Sequence, residues 1–167
     1  MNAVEKHLIA LVAKTAGDGG RGLSQALAAV VAEVAPFDRG ELAFLREGGV
    51  ERWPLLGDAA VSGDDLVRHV AVHPVPVRID DLPEAEPFPH TRERLLALGL
   101  RSLLALPISS AGGPEGVLVI ARDYGWAFAG ASLRVLEPIA AMAGLCIEKT
   151  LQLAGASAGR PVRPIRP

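Results

Sequence analysis

Leu23, Leu27, Val30, Val31 and Val34 recur at helical spacing, and the run stops before Pro36, which predicts a helix there. An earlier set, Val4, Leu8, Leu11 and Val12, predicts another helix that ends before Gly17-Asp18-Gly19-Gly20. The period then changes. Residues 41–46 and 51–56 bracket Glu47-Gly48-Gly49-Val50 and read as a first hairpin. Residues 63–73 return to helical spacing, with Ser62 or Asp64 as the expected cap. Residues 74–79 form a short strand, which Pro74 and Pro76 confine to a sheet edge. After an acidic, proline-bearing loop over residues 80–89, residues 91–98 form a helix that Gly99 stops. Two apolar runs, 103–108 and 117–121, flank a segment rich in Gly, Ser and Pro and read as a second hairpin. A long last helix follows the loop over 124–132, and Pro138 either kinks it or marks its beginning. Helices before the sheet, inserted between its strands and after it give an α+β fold with a mainly antiparallel sheet.

Alternation assigns the two faces of that sheet, because successive strand side chains point to opposite sides. Leu42 and Phe44, Leu104 and Leu106, and Leu118 and Ile120 make one uniformly bulky face suited to a helix layer. The other face carries Glu41, Ala43 and Leu45, then Leu103 and Ala105, then Val117, Val119 and Ala121. Its three alanines leave volume that side chains of the inserted segment or a small molecule must fill. Glu41 on that face needs a partner, a ligand group or a shifted pKa, unless it reaches solvent at the strand end.

Composition narrows the class. The 167 residues suffice for one domain, expected over 1–153, followed by a tail over 154–167 whose AGASAGRPVRPIRP composition cannot bury a core. Half of the residues are hydrophobic but only 4% aromatic, so the core is built from Leu, Val, Ile and Ala. A net charge of −2 gives no reason to expect direct nucleic-acid binding. The single Cys146 excludes an intrachain disulfide, as suits a reducing cytoplasm. The apolar run 8–13 is too short for a secretory or membrane segment. The run 133–153 is interrupted by Arg134, Glu137, Glu148, Lys149 and Gln152, so no membrane association is expected.

The segment RSLLALPISSAGGPEGVLVIARD (101–123) resembles the closing strands of GAF domains, small sensory modules of cytoplasmic signalling proteins. The Phe37-Asp38-Arg39 entry to the first strand, the inserted helices and the long closing helix fit the same family order, so the resemblance spans residues 23–153. It implies a GAF/PAS-like sheet of about five to six strands with helices on one face and a cap on the other. It also implies that the alanine face lines a pocket, whose expected lining is Glu41, Ala43, Trp53, His73, Arg78, Phe88, His90, Leu103, Ala105, Val119 and Ala121. Leu66, His69, Val70 and Leu95 would complete the roof. Arg78 or Arg101 would supply a cation, and Trp53 a stacking surface. The family reading is a non-catalytic signal-input domain that binds an unidentified small effector and regulates an output domain in transcription or signal transduction. The rival reading is a ligand-free homodimerisation module.

Two apolar stripes on the last helix bear on partners. Leu136, Ala140, Ala143, Ile147 and Leu151 form one, and Ile139, Met142, Cys146 and Leu153 the other. A helix packed on one sheet needs a single stripe, so the second suggests a homodimer through the terminal helices.

Catalytic and cofactor chemistry finds little support. His69 and His73 stand at i, i+4, with His90 as a candidate third ligand, but no HExxH glutamate accompanies them and polar cap residues are the expected role. Asp80, Asp81, Glu84 and Glu86 read as a solvated loop rather than a calcium site. Reductases of free methionine sulfoxide share the family fold and use cysteines near the pocket, whereas Cys146 lies among Met142, Ala143 and Ile147, where it should be buried and inert. No enzyme activity, metal or cofactor is expected.

Overall fold

The computed structural model describes residues 21–57, 60–108 and 115–158. The helix expected within residues 1–20, the tip of the second hairpin and the chain after residue 158 lie outside them. The described chain runs α1 (Arg21–Val34), β1 (Arg39–Arg46), β2 (Gly49–Leu56), α2 (Asp64–Val72) and β3 (Val77–Ile79). A single 3-10 turn (Leu82–Glu84), α3 (Pro89–Ala97), β4 (Ser102–Ile108), β5 (Gly116–Arg122) and α4 (Leu133–Ala158) complete it.

The strands form one five-stranded antiparallel sheet in the order β2-β1-β5-β4-β3. β1 and β2 turn through Glu47-Gly48, where Gly48 takes a φ of +91° that a side chain would resist. The central pair is non-local: β1 lies against β5 from Arg39 opposite Ala121 to Phe44 opposite Gly116. Gly116 permits this approach, because a Cβ there would fall on the Ala43 carbonyl oxygen and the Phe44 Cβ. At the other end, the Asp38 N–H donates to the Ala121 carbonyl and its Oδ2 accepts the Asp123 N–H, both at 2.9 Å. The Phe37-Asp38-Arg39 entry is thereby stitched to the exit of β5. Pro54 lies in β2, and Pro74 and Pro76 precede β3; both are edge strands, where a missing N–H costs no ladder bond.

Each sheet face buries its own core. On one, Leu42, Phe44, Trp53, Leu55, Leu104, Leu106, Leu118 and Ile120 meet Leu23, Leu27 and Val31 of α1 and Leu136, Ile139, Ala140 and Ile147 of α4. Phe44 and Trp53 pack edge to face there, with centroids 5.0 Å apart. On the other, Ala43, Leu103, Ala105, Val117, Val119 and Ala121 meet Val61, Leu66, Val67, Val70, Leu82, Leu95 and Leu100 of the inserted segment. The bulky face takes the helices and the alanine face takes the cap, as alternation predicts.

Local expectations need four corrections. α2 has Gly63 at its N-cap without a side-chain bond, because Ser62 and Asp64 are engaged elsewhere. The 80–89 loop is partly ordered by the 3-10 turn, which buries Leu82. α4 begins at Leu133, so Pro138 lies inside the helix rather than at its start, and the helix runs on to Ala158, past the composition change. Of its second apolar stripe, Ile139 and Cys146 are buried within the chain in the helix-side core, beside Met142, while the side chain of Leu153 lies outside the described residues. Among the described residues of α4, the large apolar side chains left exposed are Leu133 (40%), Val135 (46%) and Leu145 (55%).

Candidate functional site

Glu41 stands on the cap-facing side of β1, opposite Val119, and has no exposed surface. Four donors converge on its carboxylate. The Val61 N–H reaches Oε2 at 3.0 Å, while Oε1 accepts the Ser62 N–H at 2.8 Å, the Ser62 hydroxyl at 2.5 Å and Arg52 Nη1 at 2.8 Å. Arg52 lies opposite Ala43 on β2, hence on the same face. Its Nη1 also donates to Ser62 Oγ at 3.1 Å, and its Nη2 donates to Asp64 Oδ1 at 2.6 Å. The buried carboxylate therefore finds its partners within the chain, and what it holds is the segment leading into the cap. Charge-assisted bonds of this kind are the strong ones, and their loss strands buried N–H groups.

A second latch joins the two cap helices. Asp65, in the first turn of α2, accepts the Thr91 hydroxyl at 2.6 Å and the His90 N–H at 2.9 Å, which completes the N-terminus of α3. Thr91 in turn accepts the Gly63 N–H at 2.9 Å, which serves α2. Burial raises the Asp65 pKa, but the Thr91 hydroxyl and the Leu66, His90 and Thr91 N–H groups outweigh it and hold the carboxyl below its ordinary 3.8. Arg94 Nη1 donates to the Ser62 carbonyl at 2.9 Å, so α3 also reaches the segment that Glu41 holds.

The expected lining divides. Ala43, Leu103, Ala105, Val119 and Ala121 are brought together with Glu41 under the cap, all fully buried, and Phe88 packs half-buried against the same cluster. His73 and His90 are exposed on the cap. Trp53 lies opposite Leu42 and Arg78 opposite Leu104, so both belong to the other face. Arg78 there pairs with Asp80 at 3.0 Å. Arg101 is an exposed ion-pair partner of Asp81. Arg52, Asp65 and Thr91 join the site without a sequence expectation, and Ser62, expected as a helix cap, binds Glu41 instead. Arg52 had a signal: if Trp53 packs in a core, its neighbour falls on the face of Glu41. At the cap's edge, Val70, Ala71, Pro74, Pro107, Ile108 and Glu115 line an open cleft of about 170 Å³. Cys146 is remote from this face, and burial pushes its thiol up to about 11, which removes it as a nucleophile at neutral pH.

Residues 21–147 match the sequence profile of the GAF domain. The chain belongs to the GAF domain family. GAF domains are signalling and sensory domains, and their fold recurs in solved structures similar to this one. A domain of a two-component sensor histidine kinase from Sinorhizobium meliloti 1021 has a TM-score of 0.60 at 18% identity, with 83% of this chain and 96% of that one covered. The GAF domain of a sensor histidine kinase from Bacillus halodurans gives 0.57 at 21% identity, covering 77% and 92%. The free methionine-R-sulfoxide reductase of Neisseria meningitidis, solved with its substrate, gives 0.62 at 15% identity, covering 89% and 90%. Identities this low speak for the fold alone. No curated protein matches the chain. Among the described residues of this GAF domain, no helix is long and apolar enough to cross a membrane.

Proposed function

We propose that this GAF domain is a non-catalytic signal-input domain, in which a small effector lodges between sheet and cap and regulates an attached or partner output domain in transcription or signal transduction. The observation that carries the reading is the floor of Ala43, Ala105 and Ala121 beneath a cap latched by side chains. Val61, Leu66, Val67 and Val70 fill that floor, so an effector enters by displacing them, and its binding energy shifts the cap from closed to open. Once Val61 and Ser62 move away, Glu41 and Arg52 are the polar groups that greet the effector. The output is relayed through the helix-side core to α4, whose exposed Leu133, Val135 and Leu145 support pairing of two protomers through their terminal helices. The domain itself contacts neither nucleic acid nor membrane and works in the cytoplasm.

The closed packing of the cap face also favours a second reading, a ligand-free dimerisation module. Native mass spectrometry of the protein as purified, compared with the denatured sample, separates the two. A small-molecule mass lost on denaturation, or a thermal shift with one member of a metabolite panel, supports the sensor. Bare protein throughout, with no shift across the panel, supports the dimerisation module.

A further inference from the structure

α2 ends in a pair of imidazoles that the latches leave unused. His69 and His73 are exposed one helical turn apart, with ring centroids separated by 5.1 Å and planes inclined at 47°. Neither ring has a hydrogen-bond or ion-pair partner among the described residues. We propose that this pair chelates a late first-row divalent cation, Cu²⁺, Ni²⁺ or Zn²⁺, through one nitrogen of each ring, with water completing the coordination shell.

Distance is the first argument. A metal about 2.0–2.1 Å from an imidazole nitrogen stands about 3.2 Å from the ring centroid, so two rings at a tetrahedral angle have centroids about 5.2 Å apart, and at a right angle about 4.5 Å. The observed 5.1 Å lies within that interval. The rings thus already have the centroid separation that a shared cation requires.

The surroundings favour positive charge and fixed geometry. His69 lies in the last turn of α2 and His73 is its C-cap, where unpaired carbonyl groups make the potential negative. The His73 N–H donates to the His69 carbonyl at 2.8 Å, so the backbone closes the turn that carries both rings. Phe88 braces His69, its ring centroid 5.0 Å away and inclined at 67°. Phe88 itself takes a left-handed φ of 56° as the N-cap of α3.

Ligand chemistry selects the metal. Neutral imidazole suits copper, nickel and zinc, whereas magnesium and calcium require oxygen donors. Among the described residues, no third His, Cys, Asp or Glu joins the pair, so the site is an exchangeable chelate and follows the order Cu²⁺ above Ni²⁺ and Zn²⁺. A two-ligand chelate needs no catalytic glutamate, so the lack of an HExxH motif does not count against it.

The test uses the full chain without a histidine tag, titrated with CuSO₄, ZnCl₂ and MgCl₂ and followed by thermal unfolding, with electron paramagnetic resonance on the copper form. Cu²⁺ and Zn²⁺ are expected to raise Tm and Mg²⁺ to leave it unchanged, and the copper spectrum is expected to show two nitrogen ligands. Losing an outer-shell partner alone weakens metal sites about 10–100-fold, so His69→Asn and His73→Asn should each weaken Cu²⁺ binding at least about tenfold. His90→Asn should leave it unchanged. Absence of binding, a spectrum without two nitrogens, or equal binding by the His69→Asn/His73→Asn double variant would overturn the proposal. The spectrum of the unaltered protein keeps the test decisive even if a variant fails to fold.

Discussion

A carboxylate with no exposed surface persists in a core only when its oxygens are occupied, and Glu41 has a donor for each with more to spare. Replacing it by Gln would turn an amide N–H toward donors that already point inward. Glu41→Gln is therefore expected to destabilise the domain by about 3 kcal/mol, the scale of a broken buried ion pair. Urea denaturation measures this, and a loss below that of Ser62→Ala would contradict the anchoring role. Alternation along β1, β4 and β5 was enough to place Glu41 and the three alanines on one face. It failed for Trp53 and Arg78 because phase within a strand does not say which partner lies opposite. Leu42 stands beside Trp53 and Leu104 beside Arg78, and only the pairing register carries that information. Alternation from Trp53 gives Arg52 its face, but its place beside Ala43 needs the register of β2 on β1.

At the scale of elements, the two cap helices complete each other's N-termini: Asp65 of α2 serves α3 as well as its own Leu66 N–H, and Thr91 of α3 serves α2. The sequence could not disclose this, because caps are sought among immediate neighbours and these lie 26 positions apart. Asp65 also gives the cap a pH dependence of defined sign. Its folded pKa is below the ordinary 3.8, so its contribution is fully present above that value and is lost as pH falls through the lower folded one. Asp65→Asn should cost about 1 kcal/mol at neutral pH, the usual worth of a cap. In urea melts, the gap between it and the unaltered protein should narrow as pH drops below 3.8; a gap that stays constant would refute the assignment. α4 was legible as a long helix, but its second apolar stripe was misattributed, because the depth of the α1 and sheet contact around Ile139 and Cys146 is a tertiary fact.

For the whole molecule, order and period along the chain sufficed to recognise helix layer, sheet and cap, since each changes the hydrophobic repeat. The proposed pairing of protomers is tested at this scale. Light scattering should give twice the 17.4 kDa chain mass, and Leu145→Glu should return the chain mass with the circular dichroism spectrum unchanged, because that side chain supports no internal core. A single-chain mass for the unaltered protein at every concentration would dismiss it. The central union of β1 with β5 closes one long loop, and α2, α3 and their connections all lie inside it. Closure entropy grows only logarithmically, so even doubling such a loop costs about 0.6 kcal/mol. In chain entropy the frame is therefore nearly indifferent to the length inserted between its strands, provided the insert still covers the alanine face. The cap can be lengthened or shortened at little cost in chain entropy, while the sheet and the helix layer keep their geometry.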